Sequence, residues 1–140
     1  NVAIGRIYDL CRPDEFYSET GDFKVVKWFD ESFIQENIVH SKIVVCEIDS
    51  LVVGFCGWRK NHIYWLYVSP TYRRLGIAKK LLGEALCDMS GEISLSVWAS
   101  NSRAKALYSE YEFSLGTRKT VDYYGKYLEL DTMVLKRENA

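Results

Sequence analysis

The chain has 140 residues, of which 48% are hydrophobic and 26% are charged, and its formal net charge is -1. This length fits a single globular domain, which buries about 68–70% of the surface of its unfolded chain. The balance of charges argues against a nucleic-acid-binding protein, because such proteins normally carry a strongly basic face. The sequence contains no apolar run of the roughly 18 residues that a membrane-spanning helix needs, so no membrane partner is predicted.

The cysteines indicate neither a metal site nor a redox motif. Cys11, Cys46, Cys56 and Cys87 lack the spacing of metal ligands, and two of them lie within apolar runs. We therefore expect reduced cysteines, no bound metal and a cytoplasmic location.

The N-terminal part of the chain predicts a strand followed by two helices. Hydrophobic residues alternate from Val2 to Leu10, which is typical of a half-buried strand. A proline and two acidic residues after Arg12 predict a short helix that ends at Ser18 or Glu19. Asp30 is a candidate N-cap for a second helix, from Glu31 to His40.

Three strands are predicted next. Lys42 to Ile48 and Leu51 to Trp58 are rich in β-branched and aromatic residues, and they form a hairpin across Asp49-Ser50. Ile63 to Val68 is predicted to be the central strand of the sheet.

A basic loop that contains glycine joins this central strand to a helix. The loop runs from Arg73 to Ala78, and the helix that follows carries its apolar residues at three- and four-residue spacing (Leu75, Ala78, Leu81, Leu82, Ala85 and Leu86). The first N–H groups of a helix lack partners within the helix, and they lie at the positive end of its dipole. Because Gly76 has no Cβ, a phosphate could approach the backbone closely. The alternative from the loop alone is a solvated turn.

The remaining chain predicts a strand, a helix and two final strands. Ile93 to Trp98 alternates as a strand does, and Ser100 or Asn101 can cap the helix that follows. The segment from Ser114 to Arg137 is strand-like, with Gly125 between its two halves.

Two of these segments together resemble the GNAT superfamily of N-acetyltransferases. Arg73-x-x-Gly76-x-Ala78 is similar to the acetyl-CoA loop of that family, Arg/Gln-x-x-Gly-x-Gly/Ala. The segment from Asn101 to Phe113 is similar to its second motif, Asn-x-x-Ala-x-x-x-Tyr-x-x-x-Gly-Phe, with Tyr108 at the tyrosine. Glu112 stands where the family has glycine, so the turn after this helix should differ.

The resemblance implies one domain over residues 1–140 with an α/β (mixed α+β) fold. It implies a central, twisted, mixed but mostly antiparallel sheet flanked by about four helices. The sheet is expected to splay between the fourth and fifth predicted strands, Ile63–Val68 and Ile93–Trp98, with a bulge in the former. The pantetheine arm of acetyl-CoA would pair with the strand edge that this gap exposes.

The resemblance to the two motifs implies which residues of this chain contact the cofactor. The backbone N–H of Leu66 would stabilise the oxyanion, and Tyr108 would donate a proton or a hydrogen bond to the departing thiolate. The residues that would contact the cofactor are Leu66, Tyr67, Val68, Arg73, Arg74, Leu75, Gly76, Ile77, Ala78, Lys79, Asn101 and Tyr108. Without the resemblance, Tyr108 is more simply a core residue and Asn101 an N-cap.

The general base is not identified by either motif. Deprotonating a lysine-like amine at pH 7 costs about 4.6 kcal/mol, so a base matters for such an acceptor. The carboxylate that many relatives carry in the strand before the asparagine motif is replaced here by Ser96, which could only order a water molecule. His62 is the tentative base, and the alternative is an exposed residue at the start of a strand.

The acceptor pocket should be formed by the first helices and the final strands. Its tentative residues are Trp28, Tyr64, Tyr123 and Tyr124, with Phe23, Trp58 and Asp122 as further candidates.

The resemblance therefore implies an N-acetyltransferase that transfers acetyl from acetyl-CoA directly to a primary amine, either a small molecule or a protein N-terminus or lysine. We expect a monomer or a homodimer. The alternatives are a non-catalytic acyl-CoA sensor that has lost its base and an α/β interaction domain that does not bind CoA. Turnover of an amine separates the enzyme from the sensor, and CoA binding separates both from the interaction domain.

Overall fold

The computed structural model describes residues 2–21 and 23–137. Its helices and strands follow one another along the chain as follows: α1 (Val2–Cys11), 3-10 turns at Arg12–Phe16 and Trp28–Asp30, α2 (Ser32–Asn37), a 3-10 turn at Ile38–His40, β1 (Lys42–Ile48), β2 (Leu51–Arg59), β3 (His62–Val68), a 3-10 turn at Pro70–Tyr72, α3 (Ile77–Asp88), β4 (Ile93–Trp98), α4 (Ser102–Glu110), β5 (Ser114–Tyr123) and β6 (Lys126–Leu135).

The strands form one six-stranded sheet in the order β1-β2-β3-β4-β6-β5. Every neighbouring pair is antiparallel except β3 and β4, which are parallel. The predicted class, a mixed and mostly antiparallel sheet with about four helices, is confirmed. The hairpin, the central strand, the strand after α3 and the two final strands are confirmed as well.

The sheet splays between β3 and β4, as predicted. The two strands pair only at His62 with Ser94 and Ile63 with Leu95, although β3 continues to Val68 and β4 to Trp98. On its other side β3 stays paired with β2, and the register shifts there so that Tyr64 is an extra, unmatched residue. This bulge bends β3 away from β4 at the point where their pairing ends.

The predicted first strand is wrong, because Val2–Cys11 is the helix α1. The alternation that suggested a strand also fits a helix, since Ile4, Ile7, Tyr8 and Cys11 recur at three- and four-residue spacing. These four side chains are buried against the sheet, whereas Val2 is 78% exposed. The predicted fourth and fifth strands are therefore β3 and β4.

Three predicted helix boundaries also differ. The helix after Arg12 is a single 3-10 segment that ends at Phe16. Asp30 lies inside a 3-10 turn, and α2 begins at Ser32 with Glu31 at its N-cap. Leu75 precedes α3 and is 65% exposed, so it is not part of the apolar stripe of that helix.

The helices pack on both faces of the sheet. Phe55 and Trp65 contact α1 and Trp28 on one face, and Leu81, Leu82 and Ala85 of α3 are buried against the other face. None of the helices in the described ranges is long and apolar enough to cross a membrane. The gap between β3 and β4 lies between these two layers, where side chains from both faces can reach it.

Candidate active site

Three cavities meet along the gap between β3 and β4. A loop pocket of about 320 Å³ lies at the start of α3, a cleft of about 290 Å³ lies between β3 and α4, and a larger cavity of about 710 Å³ lies beyond the gap. The loop pocket and the cleft share Val68, Arg73, Ala78 and Leu107. The cleft and the larger cavity share Glu15, Tyr64, Tyr67, Ser96 and Val97. The three cavities therefore adjoin one another along the gap, and together they are called the passage below.

The loop pocket contains most of the predicted loop residues. Arg73, Arg74, Gly76, Ile77, Ala78 and Lys79 line it. Gly76 is the N-cap of α3 and has φ 78°, a left-handed conformation in which a Cβ would meet no atom within 4 Å. Because no side chain caps this helix, the N–H groups of its first turn remain available to a ligand.

Arg73 ties the loop to the N-terminal segment. Its guanidinium pairs with Asp14 at 2.9 Å, and its Nε donates to the carbonyl of Val68 at 3.3 Å. Burial opposes the charge of this side chain, but the bonds to Asp14 and Cys11 raise the pKa of Arg73 above its ordinary value. Arg73 therefore remains a cation between the loop pocket and the cleft.

The edge of β3 that faces the gap carries backbone groups without a strand partner. The N–H of Ser69 donates to Val53 of β2 at 2.8 Å, so by alternation the backbone groups of Leu66 and Val68 point the other way, towards the gap. The Val68 carbonyl there accepts from the Cys11 thiol at 3.2 Å and from Arg73. This edge can pair with an extended ligand, as an added strand would.

The opposite wall of the cleft is formed by α4. Asn101 is buried, and its Oδ1 accepts from the N–H of Ala104 at 3.2 Å, which confirms the predicted N-cap. The side-chain amide nitrogen of Asn101 makes no hydrogen bond to any residue in the described ranges. Tyr108 lines the same cleft, and burial, followed by the charge of Glu15, raises the pKa of its phenol. The Tyr108 hydroxyl therefore stays protonated.

The larger cavity has mainly aromatic walls. Tyr64, Tyr123, Tyr124 and Asp122, four of the residues suggested for the acceptor pocket, line this one cavity. Tyr123 is buried, and its hydroxyl accepts from the N–H of Val26 at 2.9 Å. The hydroxyl of Tyr124 donates to Glu31 at 2.7 Å, and this bond raises the pKa of Tyr124 to about 12.

A partly buried ion pair in the passage was not predicted from the sequence. Arg12 donates to Glu15 at 3.0 Å, and the hydroxyl of Tyr67 donates to the same oxygen, Oε1, at 2.6 Å. The guanidinium carbon of Arg12 lies 5.2–5.5 Å from the centroids of four aromatic rings, Tyr8, Phe16, Trp98 and Tyr123. The Arg12 Nε is buried without a hydrogen-bond partner. The aromatic ring faces therefore take the place of acceptors around this cation.

His62 lies at the closed end of the gap. Its Nδ1 is 2.7 Å from the hydroxyl of Ser94, and its ring contacts Tyr64 edge-on at 4.6 Å. The side chain lines the larger cavity but not the cleft. Burial lowers the pKa of His62, so the imidazole is neutral near pH 7 and can accept a proton.

Some predicted residues do not come to the passage. Trp28 is 1% exposed and packs between Tyr8, Phe55 and Trp65. Trp58 donates to Asp88 at the end of α3, and Phe23 packs on Phe16 and Tyr123 outside the cavity lining. Leu75 lines neither the loop pocket nor the cleft. Within the described ranges, no cluster of three or more His, Cys, Asp or Glu side chains could hold a metal ion.

Comparison with known proteins finds relatives among the N-acetyltransferases. The sequence profile of the family described as Acetyltransferase (GNAT) domain matches residues 39–115. The uncharacterized N-acetyltransferase YafP of Escherichia coli K12 is 32% identical over 96 residues, which are 69% of this chain and 61% of YafP. The chain therefore spans less than two thirds of that curated relative.

Solved structures share the fold at low sequence identity. A GCN5-related N-acetyltransferase from Rhodopseudomonas palustris matches with a TM-score of 0.81 and 16% identity, over 97% of this chain and 89% of that chain. A GNAT family acetyltransferase from Elizabethkingia anophelis, solved with acetyl-CoA bound, matches with a TM-score of 0.62 and 11% identity, over 76% of this chain and 83% of that chain. Because the profile matches more than half of the chain, this protein belongs to the GNAT acetyltransferase family.

Proposed function

We propose that this protein is an N-acetyltransferase that transfers the acetyl group of acetyl-CoA directly to a primary amine. The observation that carries the proposal is the passage of three cavities, which runs from the N-terminus of α3 through the gap between β3 and β4 into an aromatic cavity. A cofactor in the cleft and an amine in the larger cavity would meet at the gap. Bringing the two reactants together in this way supplies much of the rate of a direct transfer.

The loop pocket suits the pyrophosphate of CoA. The uncapped N-terminus of α3 offers several N–H donors, and Gly76 leaves room for an anion beside them. Arg73, Arg74 and Lys79 add positive charge to the same pocket. In this arrangement the backbone holds the phosphates, so the side chain of Leu75 is not needed.

The cleft suits the pantetheine arm and the thioester. The outward-facing N–H of Val68 would donate to the arm, and Asn101 would hold it from the side of α4. The N–H of Leu66 would then donate to the thioester oxygen, where negative charge develops when the amine attacks.

Tyr108 suits a hydrogen bond to the leaving sulfur better than full proton transfer. A thiol has an ordinary pKa of about 8.5, and the phenol of Tyr108 has a pKa raised by burial above its ordinary value of about 10. Transfer of the proton from this phenol to the thiolate would therefore be uphill. A hydrogen bond stabilises the thiolate without that cost, and the sulfur can take its proton from solvent.

The larger cavity indicates the chemical class of the acceptor but not its identity. Its volume of about 710 Å³ fits a drug-sized molecule or the end of a peptide chain, and its walls combine aromatic rings with Glu15, Glu31 and Asp122. Carboxylates favour a cationic amine. The acceptor is thus either a small-molecule amine or a protein N-terminus or lysine. A cytoplasmic location and a monomeric or dimeric state remain predictions.

Calorimetric titration of acetyl-CoA into the wild-type protein and into Gly76→Glu tests the proposal. We expect micromolar binding by the wild type and its loss in the variant, because a carboxylate would occupy the phosphate position. No heat and no thermal stabilisation with wild-type protein would overturn the proposed function. Binding without acetylation of any primary amine would support the non-catalytic acyl-CoA sensor instead.

A further inference from the structure

The carboxylate of Glu15 lies where the cleft meets the larger cavity. Five residues line both cavities, and among them only Glu15 has a carboxyl group. Its side chain is 20% exposed, so it is shielded from bulk water but reachable from the passage. Under the proposed function, a group at this position would face the thioester in the cleft on one side and the amine in the larger cavity on the other.

The hydrogen bonds of Glu15 fix its orientation and leave one oxygen open. Oε1 accepts from Tyr67 at 2.6 Å and from Arg12 at 3.0 Å. Within the described ranges Oε2 makes no hydrogen bond. Arg12 is held in turn by its aromatic surroundings, so the ion pair is rigidly placed. The arrangement has the form of a proton acceptor oriented by supporting donors.

We infer that Glu15 is the general base of the transfer, accepting a proton from the acceptor amine through Oε2. The inference rests on the proposed function and adds a catalytic residue to it. It also requires that the acceptor nitrogen enters as an ammonium ion beside Glu15. His62 is less well placed, because it lines the larger cavity alone and lies at the paired end of the gap.

The proposed transfer conserves atoms and charge. Glu15 takes one proton from the ammonium ion, and the freed lone pair of nitrogen forms the C–N bond to the thioester carbon. The C–S bond breaks with its electron pair on sulfur, which the hydroxyl of Tyr108 stabilises. The second proton lost by nitrogen reaches the sulfur through solvent, and Glu15 releases its proton to solvent. The products are the amide, CoA thiol and one proton.

Other ionisable groups lie near Glu15 on each element packed there. They are Arg12 and Asp14 on its own segment, Tyr8 and Cys11 on α1, Tyr67 on β3, Arg73 in the loop before α3, and Tyr108 on α4. Burial, followed by the charge of Glu15, raises the pKa of Tyr67, and burial raises those of Tyr8, Cys11 and Tyr108. The three phenols therefore stay neutral over the range in which the amine titrates.

The test compares Glu15→Gln with wild type by CoA release, using 2-phenylethylamine, spermidine, and peptides with an N-terminal alanine or an internal lysine as acceptors. For an acceptor that wild type acetylates, we expect kcat/KM of Glu15→Gln to fall by about 10²-fold or more at pH 7. The loss should shrink towards about tenfold as the pH approaches the pKa of a lysine-like amine, about 10.4, because the amine then arrives neutral. A purely structural role would give a loss independent of pH.

Two controls separate the possible failures. Glu84→Gln makes the same substitution on the exposed face of α3 and should leave kcat/KM unchanged. Acetyl-CoA affinity of Glu15→Gln should match wild type, whereas its unfolding temperature should fall, because the hydrogen bonds from Arg12 and Tyr67 no longer go to a charged group. A circular dichroism spectrum at the assay temperature checks that the variant is folded. If Glu15→Gln retains the turnover of wild type, the inference is overturned and the proposed function stands. The same holds if only His62→Ala shows a pH-dependent loss of turnover. No acetyl-CoA binding or turnover by wild type would overturn both.

Discussion

The hydroxyl of Tyr67 donates a 2.6 Å hydrogen bond to Oε1 of Glu15 and so joins β3 to the segment that follows α1. Burial and the negative charge of Glu15 raise the pKa of Tyr67, so the hydroxyl remains a donor across the physiological pH range. This bond connects the strand that exposes its edge to the gap with the carboxylate that reaches into it.

Tyr67→Phe removes this donor while keeping the ring. We expect the free energy of unfolding to fall by about 1.5–3 kcal/mol, because the bond is to a charged group and is shielded from water. We also expect kcat to fall about tenfold, because Glu15 loses one of its two orienting donors. Urea unfolding and CoA release measure the two effects. Tyr127→Phe, at a tyrosine that is 73% exposed, is the control and should change neither quantity. A Tyr67→Phe variant identical to wild type would show that the bond is not formed in solution.

Alanine substitutions at Gly76, the N-cap of α3, and at Gly83, within α3, should change the stability of the protein in opposite directions. Gly76 has φ 78°, where a Cβ costs about 1–2 kcal/mol, so Gly76→Ala should lower Tm. Gly83 lies inside the helix, and a Cβ there meets no atom within 4 Å. Gly83→Ala should therefore raise stability by about 0.5–1 kcal/mol. Calorimetric scans of both variants check this, and a shift of the same sign in both would contradict the left-handed conformation of Gly76.

The parts of the fold that follow from short-range patterns were predicted correctly. β4 shows clear alternation, the hairpin and the final strands have a strand-like composition, and the capping side chain of Asn101 indicates the start of α4. The first helix was misread because hydrophobic residues from Val2 to Cys11 satisfy a period of two and a period of 3.6 at once. Only their packing against the buried face of the sheet decides between the two.

The site was predictable where a motif marks it and not where it depends on distant contacts. The resemblance to the two motifs indicates the loop around Gly76, Asn101 and Tyr108, and the structure brings these residues, except Leu75, to one passage. Glu15 looked like a first-turn acid of a short helix. Its significance depends on Tyr67, which is 52 residues away in the chain. Trp28 shows the converse error, since an aromatic residue in the right region proved to be core.

Tyr108→Phe should reduce kcat and leave the affinity for acetyl-CoA nearly unchanged. The expected loss is about tenfold, the value of a hydrogen bond to a charged sulfur. Because burial raises the pKa of Tyr108, the ratio of wild-type to variant rates should stay constant from about pH 6 to 9. Steady-state rates across this range test it, with Tyr127→Phe again as the control. A wild-type decline between pH 8 and 10 that disappears in Tyr108→Phe would instead identify the phenol as a proton donor.

Asp131 is buried, and its ion pairs with Arg118 and Lys105 link β6 to β5 and α4. It accepts from Arg118 at 2.6 and 3.0 Å and pairs with Lys105 at 2.6 Å. These bonds, with that to Arg118 the strongest, outweigh the effect of burial and lower the pKa of Asp131 to about 2. Asp131→Asn should reduce the free energy of unfolding by about 1–3 kcal/mol near pH 7, because charged hydrogen bonds are lost while the cations remain.

The unfolding free energy lost in Asp131→Asn should decrease as the pH is lowered. The pKa of Asp131 is about 2 in the folded protein and about 3.9 when unfolded, so the ionised group stabilises the fold above about pH 4. That contribution disappears as the pH falls towards 2. The difference in unfolding free energy between wild type and Asp131→Asn should therefore be full at pH 5 to 7 and shrink between pH 4 and 2. Urea unfolding at several pH values measures it, with Glu129→Gln on the same strand as the control. A difference that is constant down to pH 2.5 would mean that the loss comes from packing rather than from charge.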